Sequence, residues 1–394
     1  MADFATANRT DLSIVGELVY GVTPATPAWQ KLRLTGESLN DSITTVKSQE
    51  LRSDRMVTDL IPVDASPAGD INIEFSAESF DGLIEALMMS TWSTTLAVAS
   101  VASDLVLAIT GNHLTSATTD KFLNVVVGQN IKLSGFAASS GVYRVVTKTN
   151  NQTLTLSPAP PVASTPAGTT GNIGGSYIRN GTLERSFSIL GRLLDTAPVT
   201  YRVFTGNRVK TLSLAMKTGS IITGSIGFIG SQATMSETAI TGQTFVEPPS
   251  TTPMNSTSDF AQLLQNSASL GSVEGAVMSF DLTIDNQHRE LKGLGVLGNV
   301  GVRAGTLMVK GTISQYFENM TQYSLFKNST AFSLKMQLED SAGNSYVFTL
   351  PRAKYTEFAA NASGIDTDFM AESSVEATRD PATNCMFQID RFLA

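Results

Sequence analysis

The sequence predicts a mainly β protein: two tandem β-sandwich or barrel units, each with a short helix, plus a small β-rich domain inserted in the first. Three observations carry this. Short runs of period-two alternation recur along the chain, and one strand-then-helix pattern occurs twice. Charged residues make up only 16% of the 394 residues, against roughly 25% in ordinary soluble domains. Ser, Thr, Asn, Gly and Ala take their place, which suits short strands and polar turns.

The first strand-and-helix pattern opens on the turn signal Ser66-Pro67-Ala68-Gly69. Ile71, Ile73, Phe75 and Ala77 then alternate with Asn72, Glu74, Ser76 and Glu78, which sends one set to a dry face and the other to a wet face of a strand. At Phe80 the period changes: Phe80, Leu83, Ile84, Leu87 and Met88 fall at helical spacing, with Ser79 placed to cap the helix. The pattern recurs after Arg303-Ala304-Gly305. There Leu307, Val309 and Ile313 alternate with Met308, Lys310, Thr312 and Ser314, and Phe317, Met320 and Tyr323 begin a second short amphipathic segment ending near Lys327-Asn328. The shared order of turn, strand, switch and helix reads as an internal duplication.

The remaining elements follow in order. Residues 1–30 read as an arm that packs on a neighbour, with one apolar patch from Leu12 to Tyr20. Leu32 and Leu34 lie on a strand. From Asn40 to Ala68 runs a long polar segment without a steady apolar period, a loop length that is uncommon unless it has a job. Ser93 to Ala102 reads as a linker of small residues. Strand-like runs at 105–107, 125–133, 141–146 and 153–156, with a hairpin turn at Asn150-Asn151, form the insert, and a Pro/Gly-rich tail from Pro158 to Gly175 leads back out. The host unit resumes with strands at 182–189, 201–204, 209–216 and 220–228, and Pro248 to Pro253 reads as the clearest linker. Met278, Phe280, Leu282 and Ile284 then alternate with polar residues, and strands at 332–336 and 346–350 flank a turn at 340–344. Residues 346–374 echo 201–230 in strand order. The chain thus divides into 1–100 and 177–247 as the first unit, 101–176 as the insert, 248–258 as a linker and 259–394 as the second unit.

Composition narrows the function. The net charge of −8 argues against a basic groove for tight phosphate binding, though not against passive contact with nucleic acid. Cys385 is alone, so no intrachain disulfide forms. No secretory signal opens the sequence, and the longest apolar run, near Leu96 to Ala102, is too short to span a bilayer, so the expectation is a soluble protein made in a cytoplasm without membrane insertion.

No catalytic constellation emerges. His113 and His288 are the only histidines, no nucleophile signature accompanies either, and both read as exposed turn residues. One Cys and two distant His give no zinc spacing. Gly293-Leu294-Gly295-Val296-Leu297-Gly298 matches the dinucleotide fingerprint in letters, but no helix follows it, so it reads as a flexible loop. Asp281, Asp285, Asp366 and Asp368 fit no calcium loop. The expectation is a non-enzyme with no cofactor and no metal.

The duplicated turn, strand and short helix resembles the duplicated-domain tail tube (major tail) proteins of long-tailed, non-contractile bacteriophages. Val209 to Leu214 followed by Thr223 to Gly230, Val277 to Asn286, and Leu350-Pro351-Arg352-Ala353-Lys354 carry the same resemblance, which covers most of the chain outside 101–176. It implies a self-assembling structural virion protein, assembled in the host cytoplasm, located in the tail and in contact with other tail proteins. Two units per chain imply trimeric rings with pseudo-sixfold symmetry, stacked into a tube that conducts double-stranded DNA during ejection. By the same resemblance the insert decorates the outside. Asn72, Glu74, Ser76, Glu78, Lys310 and Thr312 are the lumen-facing candidates, and Lys310 is the one charge at odds with a wall that repels phosphate. Lys47, Glu50, Arg52, Asp54 and Arg55, within Asn40 to Ala68, are the candidates for reaching the adjacent ring. The alternative is a β-rich virion adhesin or carbohydrate-binding module. Exposed aromatics in the insert would favour it, and the insert offers only Phe122, Phe136 and Tyr143.

Overall fold

The computed structural model describes residues 4–270, 276–362 and 364–394. The chain is mainly β with two α-helices among the described residues, and its strands do not close into a barrel. Its central feature is one antiparallel sheet to which both strand-and-helix units contribute. In chain order the elements that build it are β1 (Asn40–Lys47), β2 (Leu60–Glu74), α1 (Asp81–Met88), β3 (Thr200–Lys217), β4 (Thr223–Ile229), β5 (Val277–Asp285), β6 (Met308–Tyr316), α2 (Thr321–Lys327), β7 (Phe332–Glu339), β8 (Ser345–Asn361), β9 (Met370–Ala377) and β10 (Gln388–Phe392).

Across this sheet the strand order is β2–β4–β3–β5–β6–β9–β8. Strands β3 and β5 join the two halves in continuous register, from Thr211 opposite Asp285 to Lys217 opposite Ser279. Pairing repeats within each half: β2 lies on β4 of the hairpin β3–β4, and β6 lies on β9 of the hairpin β8–β9. The long strands β3 and β8 each leave the sheet at their N-terminal ends to enter a second layer. There β3 pairs with Phe187–Leu193 and Gln232–Ser236, while β8 pairs with β7 and β10.

Alternation explains why the layers stack. Ile71, Ile73, Ile226, Leu212, Leu214, Leu282, Ile284, Val309, Ile313 and Val375 are buried together in one core that also takes in residues of the second layer. Leu83, Ile84 and Leu87 of α1 close over Ile73, Phe75, Val209, Leu212 and Ile226. The second helix differs: only Gln322 of α2 is buried, and it sits against β8 with Tyr323 edge-on to Phe358 at 5.7 Å. A separate core runs from Leu96 to Ile173. Phe122, Phe136 and Tyr143 belong to it and are at most 5% exposed.

Several expectations are corrected. The strand predicted to run through 71–78 ends at Glu74, and Ser79 does not cap α1, which begins without a side-chain cap. Ser66 to Gly69 is not a turn but the middle of β2, and a side chain at Gly69 would come within 2.5 Å of the Ser38 carbonyl. Asn40 to Ala68 is not a loop: β1 and β2 form a hairpin from Asn40 opposite Ala68 to Lys47 opposite Leu60. Leu12 and Ile14 are buried on a strand, Thr10–Gly16, paired with Phe187–Leu193, rather than on an arm free to meet a neighbour. Ser93 to Ala102 contains the strand Leu96–Ala99, paired with Asn172–Gly175. Gly293 to Gly298 does lie in a loop, and the loop joins a two-stranded ribbon, Arg289–Leu291 with Gly301–Arg303. Pro248 to Pro253 is stitched down: Thr251 Oγ1 donates to the Ala77 carbonyl, and Pro253 bridges to Ser76.

Candidate assembly surfaces

The outward face of the central sheet can be read from register alone, because directly paired residues in antiparallel strands share a face. One row runs Asn72, Ser225, Ser213, Thr283, Lys310, Glu376, Lys354. The next runs Glu74, Thr223, Ala215, Asp281, Thr312, Ser374, Glu357. Asn72, Glu74, Lys310 and Thr312, drawn from the two distant strand patterns, therefore lie on one face of one sheet. All four reach solvent in the single chain. Lys310 stands directly opposite Glu376, which stands opposite Lys354, so a cross-strand carboxylate sits between two cations. Among the paired residues of this face are the carboxylates of Asp70, Glu74, Asp281, Asp285, Glu357, Glu372 and Glu376 and the ammonium groups of Lys217, Lys310 and Lys354. The face is polar, small-residued and acidic on balance.

Ser76 and Glu78 are not on it. Ser76 is 1% exposed, its hydroxyl 2.8 Å from that of Ser79 and 3.2 Å from Arg33 Nη1. The cause is the segment 249–253, which folds back over the end of β2 and takes Arg33 as well. Glu78 is exposed in a turn with φ of 63°, and its N–H donates to the Tyr346 hydroxyl at 3.0 Å. That hydroxyl donates to Asp81 Oδ1 at 2.8 Å, so the entry to α1 is tied to β8 of the other half.

The second surface is the β1–β2 arm. Every residue of β1 is exposed, as are the first residues of β2. Ile43, Val46, Ile61 and Val63 are each about half exposed, at 50–53%. Lys47 ends β1, and Glu50, Arg52, Asp54 and Arg55 form the tip. There Arg52 Nε donates to Asp54 Oδ1 at 3.0 Å and Thr58 Oγ1 donates to Glu50 Oε2 at 2.9 Å. The hydrogen bonds from Arg52 hold the Asp54 carboxyl below its usual range. The arm is fixed at its root by residues that sequence reading missed. Lys292 Nζ donates to Asp64 Oδ1 at 2.6 Å, the Ala65 carbonyl at 3.1 Å and Ser66 Oγ at 3.0 Å, while Ser66 Oγ donates to Glu290 Oε2 at 3.0 Å. Burial pulls the Lys292 ammonium down, but its bonds to Asp64 and Glu290 outweigh this and raise it. No local signal marks Lys292; the ribbon 289–303 has to be folded before it meets the arm.

The third feature is a pair of open strand edges, one on the arm and one on β8. Among the described residues no strand pairs the outer edge of β1, or of β8 from Lys354 to Asn361. Such edges are open to pairing with another chain.

His113 Nδ1 lies 3.3 Å from Thr155 Oγ1 in the 96–175 region. His288 is half-buried rather than exposed, and burial, with the nearby Arg208, brings its pKa down to about 4. The Cys385 thiol is buried, and burial pushes it up. Among the described residues no group of three His, Cys, Asp or Glu could hold a metal ion, and no helix is long and apolar enough to cross a membrane.

The chain is β-rich, with one acidic sheet face, a projecting arm and open strand edges of the kind that pair with further chains. The family model for phage tail tube proteins matches residues 7–378, and the chain belongs to that family. It is a structural component of the virion tail that assembles with copies of itself. No curated protein matches it. Among solved structures it is similar, at 9% identity and a TM-score of 0.17, to a phage phi92 endosialidase; the alignment covers 95% of this chain and 59% of that one.

Proposed function

We propose that the chain polymerises into trimeric rings with pseudo-sixfold symmetry, which stack into the tube of a long, non-contractile tail and give double-stranded DNA its passage during ejection. The observation that carries this is the continuous seven-strand sheet, with Asn72, Glu74, Lys310 and Thr312 on a single wet face. In this reading the chain carries two copies of one unit, each supplying a strand-and-helix pattern and a bridging hairpin. The open edge of β8 meets the far end of a neighbour's sheet, head to tail, which yields a ring when the rotation closes. The wet face lines the lumen, where an excess of carboxylates repels phosphate weakly and binds it nowhere. Lys310 is tolerated there because Glu376 stands opposite it. The arm, with its tip from Lys47 to Arg55, engages the adjacent ring. The 101–176 domain packs through Lys132 and Asn130 on the second layer, away from the wet face, which supports its position as outer decoration.

Negative-stain microscopy of the purified protein tests the reading. Hollow tubes or stacked rings with threefold symmetry are expected; a protein that stays monomeric at high concentration refutes it. The adhesin alternative gains no support, because Phe122, Phe136 and Tyr143, the aromatics of 101–176, are all buried.

A further inference from the structure

The 96–175 region meets the second layer in a buried polar junction. On the second layer, Gln388, Thr349, Lys335 and Leu264 stand opposite one another in successive strands and so share a face. Facing them is Asn130, at the start of the strand Asn130–Ser134. Asn130 Nδ2 donates to Thr349 Oγ1 at 3.2 Å and to Asp390 Oδ2 at 2.6 Å, and its N–H donates to Asp390 Oδ1 at 3.0 Å. Asn130 and Asp390 are 0% exposed and Lys335 is 8% exposed.

Two atoms of this junction lack what burial ordinarily demands. Lys335 Nζ makes no hydrogen bond, and neither does Asn130 Oδ1. An ammonium buried without a partner is costly, whereas a neutral amine is not. Burial draws the Lys335 pKa down to about 8, with Arg144 adding to the fall against the pull of Asp390. Burial raises the Asp390 pKa to about 6, against the bonds from Asn130 and Gln388. Both shifts bring the groups toward the range in which protons are exchanged near neutral pH. Lys335 is one strand away from Thr349, on which the Asn130 carboxamide rests. Neighbouring strands lie about 5 Å apart, a gap that the flexible four-carbon stem of a lysine can cross.

We propose that Lys335 and Asn130 join in an intramolecular isopeptide bond, with Asp390 as the acid–base group. Neutral Nζ attacks Asn130 Cγ, and a new C–N bond forms. Asp390 passes the proton shed by Nζ to Nδ2, against which its Oδ2 already stands, and the Cγ–Nδ2 bond breaks. One amine and one primary carboxamide become one secondary amide and one ammonia, and Asp390 ends as it began. Two groups that react poorly in water gain a large effective concentration when held together in a dry site. The product ties the 96–175 region covalently to β7 and removes the unpaired buried amine. It does not depend on how the chain assembles.

The test is intact mass spectrometry of the purified full chain under denaturing conditions, followed by peptide mapping. The expected mass is the sequence mass less one ammonia, with a branched peptide joining the residues around Asn130 to those around Lys335. Lys335→Met and Asn130→Ser should each lose the branch and keep their full mass. Asp390→Asn should slow closure by roughly a hundredfold or more, leaving most chains open. A parent chain at its full sequence mass overturns the proposal. So does an ammonia loss that maps to an unbranched asparagine or that persists in Lys335→Met. Loss of one water, with Lys335 joined to Asp390 instead, overturns it too, as does undiminished closure in Asp390→Asn. The parent chain decides the question by itself, so a variant that does not fold leaves the test intact.

Discussion

Replacing Val46 and Ile61 by Thr tests the arm most directly. The two residues face each other across the hairpin and are 50% and 51% exposed, so the isolated chain has already buried half of each. Full burial of such a side chain is worth about 1.5–3 kcal/mol, so covering the exposed half against a neighbouring ring contributes about 1 kcal/mol per residue. The double variant should therefore lose about 2 kcal/mol of ring-to-ring affinity. At 1.4 kcal/mol per decade this raises the critical concentration for tube formation about thirtyfold. Threonine is β-branched and keeps strand propensity, so the hairpin persists. The assay is sedimentation of assembled material across a concentration series, with chemical denaturation of the unassembled protein as control. If the denaturation midpoint falls as far as assembly does, the residues support the fold and the argument fails. Unchanged assembly refutes it equally.

Further outcomes follow from other parts of the molecule. Lys292→Met should leave the core intact yet free the root of the arm, seen as faster amide exchange at Asp64 to Ser66 and weaker assembly. Tyr346→Phe removes the hydroxyl that serves both Glu78 and Asp81 and should cost about 1 kcal/mol in urea melts, because two part-buried polar groups lose their bond. Burial raises the Asp390 pKa to about 6, against the hydrogen bonds from Asn130 and Gln388 that lower it. A group whose pKa is raised on folding favours the fold most when protonated. Its contribution is therefore greatest below the ordinary carboxylate pKa and falls by about 3 kcal/mol as pH rises from about 4 through about 6. Asp104 in the 96–175 region runs the other way. Burial pushes it up, but Thr118, the Val101 N–H, Lys121 and Ser116 outweigh that and bring it to about 2, so its stabilisation is present above the ordinary carboxylate pKa and lost on acidification. Urea melts from pH 3 to 7 of the parent and of Asp390→Asn separate the two slopes. Charge reversal by Glu74→Lys with Asp281→Lys should leave monomer stability within about 0.5 kcal/mol and give assembled tubes a salt-dependent affinity for duplex DNA.

What the sequence disclosed depended on whether a segment had one dry face. The strands around Ile73, Leu282 and Val309 and helix α1 are legible because one set of side chains is buried and the other is not, so their period survives in the letters. The β1–β2 arm is largely wet on both faces and has no period to read, which is why β1 and the first half of β2 pass for a polar loop. Ser76 misleads for the opposite reason: it keeps the alternation, but a segment from residues 249–253 covers it, and that contact is invisible locally. The apolar run at Leu12 reads as an arm against a neighbour because its partner strand, Phe187–Leu193, lies far along the chain. The face shared by Asn72 and Lys310 required β3 and β5 to be seen side by side.

Strand β2 belongs to the arm at one end and to the central sheet at the other, with 15 residues spanning about 50 Å. A pull on the tip is therefore carried along its backbone and resisted by the ladder to β4, seven residue pairs loaded in shear rather than unzipped one at a time. The line is bulged at Val63, next to the point where Lys292 and Glu290 clamp the arm to the sheet. Bending stiffness would thus be inherited directly by whatever the arm grips.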